Sequence, residues 1–189
     1  MRLNFHNAYY VKSAPSLKEA PKDGLKHVLF VGRSNVGKSS LINALTGSKL
    51  AFSSKKAGKT KLLNYFLVDK TFYLVDSPGY GATSYANLTT IQFSKMMEDY
   101  VKDSSLKSIV LLVDLRRDPG EEDKAFYRYL ASTGIKLLCV VTKCDKLNQK
   151  ERNEAAKRAL SLGLDEPLFS DLSPKAIDMI RKSVTDSLA

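Results

Sequence analysis

Apolar residues in this chain gather into short runs at 27–31, 62–68, 71–75, 107–113 and 135–141, with a weaker one near 166–169. Each run has the length of a buried strand. Between them, apolar residues recur at helical spacing, as in Ser40-Leu41-Ile42-Asn43-Ala44-Leu45. Strands alternating with helical patterns predict an α/β domain: a mostly parallel six-stranded sheet with helices on both faces. Only Asp69-Lys70 joins the second and third runs. So short a link closes an antiparallel hairpin, which gives the sheet one antiparallel strand. Residues 1–24 read as an N-terminal arm packed on a single domain of residues 25–189. Within the arm, Ala8-Tyr9-Tyr10-Val11 either adds a short strand or packs on the core, and Pro15 and Pro21 argue against a long helix.

The chain has 189 residues, 43% hydrophobic and 26% charged, which suits one domain with a full core. No apolar run approaches the roughly 18 residues that span a bilayer. Met1–Asn7 lacks the apolar stretch of a secretory signal, and Asp186–Ala189 offers no cysteine for prenylation. A cytoplasmic protein without membrane contact is expected. Cys139 and Cys144 have no metal or disulfide spacing and read as reduced thiols. The net charge of +10 exceeds what a phosphate site needs and points to a polyanionic partner, nucleic acid or ribosome. The bland alternative is a solvated basic face that steers a nucleotide inward.

Candidate chemistry begins at Gly32-Arg33-Ser34-Asn35-Val36-Gly37-Lys38-Ser39, which fits the phosphate-binding loop G-x-x-x-x-G-K-[ST]. The strand before it and the helix after it supply the context. Unpaired N–H groups at the helix start, with the helix dipole, make an anion site there. Gly32 through Ser40 are expected to line the phosphates, with Lys38 on the β- and γ-phosphates and the Ser39 hydroxyl on Mg²⁺. The polar segment from Gly47 to Lys61 is long for a compact domain. Within it Gly58 and Thr60 are candidates for the nucleotide, and Thr60 for Mg²⁺, with Ser53 and Ser54 as alternatives. Asp76-Ser77-Pro78-Gly79 follows a strand and fits D-x-x-G. Asp76 can hold the Mg²⁺ shell, and the Gly79 N–H can approach the γ-phosphate. Thr142-Lys143-Cys144-Asp145 fits the guanine-reading pattern [NT]-K-x-D. The Asp145 carboxylate can accept from guanine N1–H and the N2 amino group, a donor pair that adenine lacks. The alternative is a helix cap at Asp145. Ser170-Asp171-Leu172 occupies the place of a last base-facing loop. The Asp171 N–H either donates to guanine O6 or the segment is only the cap of the helix at Ser173-Pro174.

Taken together, GRSNVGKSSLINAL at 32–45, GKTKLLNYF at 58–66, DSPGYG at 76–81, DLRRDP at 114–119 with Asp123, and TKCDKL at 142–147 resemble Ras-like (TRAFAC) GTPases. They are most similar to the EngB/YsxC-type bacterial ribosome-biogenesis GTPases. The resemblance implies a three-layer P-loop GTPase domain, monomeric, that binds GTP or GDP with Mg²⁺. It implies a GTP-hydrolysing switch in large ribosomal subunit assembly, with ribosomal RNA and subunit precursors as partners, and a part in normal cell division. The alternative is a GTP-gated RNA- or protein-binding module with incidental hydrolysis. The chain departs from the family pattern at Ala57, at Ser77 and in the loop SDLSPKA. Tyr80 stands where many Ras-like enzymes carry a water-orienting glutamine, so hydrolysis by the free protein should be slow. Lys38, Thr60 and Asn35 are the catalytic candidates. Asn35 is the position from which a K⁺ ion is held in potassium-activated GTPases, and its other reading is a brace of the loop. Lys55, Lys56, Lys59, Lys61, Arg116, Arg117, Lys143, Lys146, Lys150 and Arg152 follow strands, so their charge should surround the nucleotide edge.

Overall fold

Lys26-His27-Val28-Leu29-Phe30-Val31-Gly32 is buried at every position after the first, as a strand covered on both faces must be. This strand, β2, is the centre of a sheet in a computed structural model that describes residues 2–51, 62–81 and 86–189. The chain runs β1 (Ala8–Ala14), β2 (Lys26–Gly32), α1 (Lys38–Thr46), β3 (Leu63–Val68), β4 (Phe72–Asp76), α2 (Ala86–Val101), β5 (Leu106–Val113). It continues through α3 (Glu121–Ser132), β6 (Lys136–Val141), α4 (Gln149–Ser161), β7 (Leu168–Phe169) and α5 (Pro174–Ser187).

The sheet has seven strands in the order β1-β3-β4-β2-β5-β6-β7, one more than the apolar runs predict. The extra strand is β1, from the N-terminal arm, which pairs antiparallel with β3 from Ala8↔Val68 to Ala14↔Leu63. Its apolar stretch Ala8-Tyr9-Tyr10-Val11 is short and its middle faces solvent, which leaves a strand or a packed arm equally open in the sequence. β3 is the antiparallel strand expected, laddered against β1 on one side and β4 on the other. The remaining ladders are parallel.

Alternation along the strands feeds two cores. Leu29, Val31, Ile109, Leu111 and Val113 face a layer with Met97 and Tyr100 of α2, Tyr127 and Leu130 of α3, and Ala155 and Ala159 of α4. Val28, Phe30, Val110 and Leu112 face the opposite layer, with Leu41, Ile42 and Leu45 of α1 and Ile177, Ile180 and Val184 of α5. Each fully buried Leu, Ile, Val or Phe contributes about 1.5–3 kcal/mol. Two helices carry the caps their sequences specify. Asn148 and Glu151 form a reciprocal capping box on α4, while Ser173 accepts from the Ala176 N–H on α5 and Pro174 takes the first turn. The parallel strands β2, β4, β5, β6 and β7 end at one edge of the sheet. The order reverses between β2 and β5, and there ligands of open α/β sheets bind.

Candidate nucleotide site

The loop between β2 and α1 is shaped by close approach. A Cβ on Gly32 would lie 2.7 Å from Val36 Cγ1 and 3.2 Å from the Leu112 carbonyl oxygen. Gly37, the residue before α1, has φ 104 and ψ 20, a left-handed conformation that glycine adopts without penalty. Asn35 also takes a positive φ, 65°, and is exposed. The first turn of α1 therefore opens directly from the loop, with no side-chain cap on its N–H groups.

Lys38 and Asp76 meet as an ion pair, their side chains only 11% and 7% exposed. The Lys38 Nζ also donates to the Ser77 carbonyl at 2.6 Å. An ammonium has three N–H donors. Two are engaged here, which leaves one for a phosphate oxygen. Pairing two desolvated charges neutralises both, and removing either partner would leave a buried charge. Ser77 donates its hydroxyl to the Phe30 carbonyl at 2.6 Å, which fixes the strand end that carries Asp76. The Ser39 hydroxyl, half-buried one residue after Lys38, and the Asp76 carboxylate are both hard oxygen donors. Such a set suits Mg²⁺, which is held by one or two carboxylates together with substrate phosphates rather than by a protein cage. Gly58 and Thr60, with Ser53 and Ser54, lie outside the described residues.

At the base end, Thr142 continues β6 and ties it to the phosphate loop. Its hydroxyl donates to the Val36 carbonyl at 2.7 Å, and its N–H donates to the Val113 carbonyl at 2.9 Å. Lys143 has φ 57 and leads into a 3₁₀ turn, Cys144–Lys146. Cys144 is fully buried and anchors this turn, so Asp145 stands exposed beyond it. The Arg152 Nη2 donates to the Cys144 carbonyl at 3.2 Å and its guanidinium stacks 5.7 Å from the Phe169 ring centroid. Asp114, at the end of β5, receives a two-point contact from Arg116, at 2.9 and 2.8 Å. Burial pulls the Asp114 carboxyl upward, but the Arg116 hydrogen bonds outweigh it and hold the group below the ordinary carboxylate range.

Thr142 thus joins the loop between β2 and α1 to the turn that follows β6. The family model described as "50S ribosome-binding GTPase" matches residues 27–143. The probable GTP-binding protein EngB of Geobacter sulfurreducens is 41% identical over 184 residues, covering 94% of this chain and 89% of its own length. The chain belongs to the EngB family of GTPases. As a family member it binds guanine nucleotide and hydrolyses GTP. A solved structure of a probable GTP-binding protein engB has the same fold, with TM-score 0.64 at 22% identity over 86% of this chain and 98% of that one. Era, solved in complex with MgGDPNP and nucleotides 1506–1542 of 16S ribosomal RNA, shares the fold too, with TM-score 0.59 at 20% identity over 87% of this chain and 56% of that one.

The last loop of this EngB GTPase lies beside the base loop, because the Ser170 N–H donates to the Val141 carbonyl at 2.8 Å. The Asp171 carboxylate accepts from the Ser173 N–H at 2.9 Å, an Asx turn that leads into the Ser173 cap. Hydrogen bonding to the Ser173 side chain, and then to its N–H, holds the Asp171 carboxyl below its usual range. Leu172 adopts φ 62, a left-handed conformation costing a non-glycine residue about 1 kcal/mol. The Ser170 Oγ is buried without a hydrogen-bond partner among the described residues. Arg33, expected to line the phosphates, sends its guanidinium to Asp123 and over the Tyr80 ring. All three belong to the motifs that carry the resemblance, but nothing in their spacing shows that they meet; they lie on β2's loop, on the segment after β4 and on α3.

Proposed function

We propose that this GTPase is a cytoplasmic switch that assists assembly of the large ribosomal subunit and contacts ribosomal RNA through the nucleotide edge of its sheet. The observation that carries the reading is the placement of cations. Arg116, Arg117 and Lys146 are exposed on the segments after β5 and β6, and Lys150 is exposed in the first turn of α4. The net charge of +10 and the family description, a 50S ribosome-binding GTPase, support it, as does the RNA bound to Era. Contacts of this kind go mainly to phosphates. Lys55 and Lys56, outside the described residues, precede β3 in the sequence, and they are expected to add to this charge. Binding to 50S precursors across a salt series tests this. The expected result is a steep loss of affinity with salt, and a slope shallower by roughly 1 to 2 when both lysines become alanine. Binding that is absent in every nucleotide state, or indifferent to salt and to these substitutions, would refute the reading.

Mg²⁺ belongs to this proposal: Ser39, Asp76 and Thr60 would hold it, and it would supply positive charge to the phosphates. The structure also supports slow hydrolysis off the ribosome. The Tyr80 hydroxyl is committed to Asp123 at 2.8 Å, so the residue in the glutamine position has no free group to orient water. Outside help follows as a need, and a K⁺ ion held by Asn35 would bring positive charge to the transferring phosphoryl group. Hydrolysis is then expected to run faster in KCl than in NaCl at equal ionic strength. Equal rates would leave Asn35 as a brace of the loop. A GTP-gated binding module with incidental hydrolysis remains the second reading, favoured by the same engaged tyrosine. Single-turnover hydrolysis measured with and without ribosomal precursors separates the two.

A further inference from the structure

Three residues far apart in sequence meet beside the phosphate loop. Asp123 Oδ1 accepts from the Tyr80 hydroxyl at 2.8 Å and from Arg33 Nη1 at 3.4 Å. The Arg33 guanidinium also lies 5.9 Å from the Tyr80 ring centroid. The ring is wedged between Phe93 of α2 and Phe126 of α3, with centroid separations of 5.5 and 5.0 Å. Tyr80 is bonded to the phosphate loop through its backbone as well. Its N–H donates to the Gly32 carbonyl at 3.2 Å, and its carbonyl accepts from the Ser34 N–H at 2.8 Å.

Gly79 sits inside this clasp. A Cβ there would lie 2.9 Å from Ser34 Cα, so residue 79 is pressed onto the loop that holds the phosphates. Asp123 is only 8% exposed and Tyr80 5%, so the hydroxyl and the carboxylate satisfy each other away from water, with Arg33 also on the carboxylate and the Tyr127 hydroxyl also near that of Tyr80. Burial drives the Tyr80 phenol far above its ordinary range, so it stays protonated and donates. The carboxylate is balanced by Arg33 and by its place in the first turn of α3. One oxygen on a packed helix thereby fixes the residue next to Gly79 relative to the phosphate loop.

We propose that Asp123 is a positioning residue for γ-phosphate recognition: through the Tyr80 hydroxyl and the Arg33 guanidinium it holds Gly79 against the phosphate loop and so sets the preference for GTP over GDP. The inference rests on the guanine-nucleotide site above and on Gly79 as its γ-phosphate contact. GDP lacks the γ-phosphate, so its binding does not draw on Gly79, the part of the site that the clasp positions.

The test compares fluorescent GDP and a non-hydrolysable GTP analogue binding to wild type, Tyr80→Phe, Asp123→Asn, Asp123→Ala and the double variant Tyr80→Phe/Asp123→Ala. Tyr80→Phe keeps the ring and removes one hydrogen bond to a charged group, so affinity for the GTP analogue should fall about tenfold. GDP affinity should stay within about twofold, since no group that touches GDP is altered. Asp123→Asn retains an oxygen acceptor for Tyr80 and should recover most of the loss seen in Asp123→Ala. The double variant should be no worse than Asp123→Ala, because both changes cut the same link. Equal weakening of both nucleotides would show a part in folding only and overturn the proposal. So would an unchanged GTP-to-GDP ratio, or fully additive losses. Tyr80→Phe and Asp123→Asn decide the matter even if Asp123→Ala does not fold. A wild type that binds neither nucleotide overturns the site itself, and is distinguishable from a wild type that binds both while the variants change nothing.

Discussion

Replacing Lys38 with alanine is expected to weaken guanine-nucleotide binding about a hundredfold, on the order of 3 kcal/mol. The ammonium is 11% exposed and already set beside the Asp76 carboxylate, with one donor left to reach the phosphates. A charge-assisted hydrogen bond in so desolvated a place is worth more than one at the surface. The same change strips Asp76 of its partner, so stability should fall as well, by about 3 kcal/mol. The two losses can be told apart. Titration calorimetry with GDP reads the first, and thermal unfolding of the nucleotide-free protein reads the second. An affinity within threefold of wild type would mean that Lys38 does not reach the phosphates, whatever happens to the melting temperature. The pairing also ties the metal to the nucleotide. If Asp76 also serves Mg²⁺, binding of GTP should be stronger with Mg²⁺ than with EDTA.

The Asp145→Asn variant should lose GTP affinity by about a hundredfold while gaining affinity for xanthosine triphosphate. A carboxylate can accept both guanine N1–H and the N2 amino group. An asparagine amide brings an N–H₂ to that edge and faces donor with donor, whereas the C2 carbonyl of xanthine accepts from it. Asp145 is exposed beyond the buried Cys144, so the substitution should leave thermal stability near wild type. Competition of GTP, xanthosine triphosphate and ATP against fluorescent GDP measures the change. Equal affinity of the wild type for ATP and GTP would remove Asp145 from the base-reading role.

How much of this could be read before the structure depends on where each constraint lives. The central strands were legible because Val28–Val31 and Ile109–Val113 are buried on both faces and leave no polar gap. The phosphate loop was legible because backbone geometry dictates residue type: nothing but glycine fits 2.7 Å from Val36 at position 32. β1 was ambiguous, since Tyr9, Tyr10 and Val11 are 45%, 52% and 37% exposed and depend on β3 for their pairing. Lys38 and Asp76 each read alone as ligands of phosphate and metal, and only the fold shows them paired. The contacts of Arg33 and Tyr80 with Asp123 cross 90 and 43 positions, and no local propensity or spacing records contacts at that range.

The arm strand has a consequence for how the chain is made. β1 leaves the ribosome before any other strand, yet Ala8 must wait for Val68 and Ala14 for Leu63. At about 5–20 residues per second, that interval is on the order of several seconds. During it, Tyr9, Tyr10 and Val11 travel as an unpaired, β-prone segment, while β2 and α1 emerge without the strand that will close their side of the sheet. The outer edge of β3 is thus sealed by a segment made about 50 to 60 residues earlier, and that closure can precede the synthesis of β5, β6 and β7.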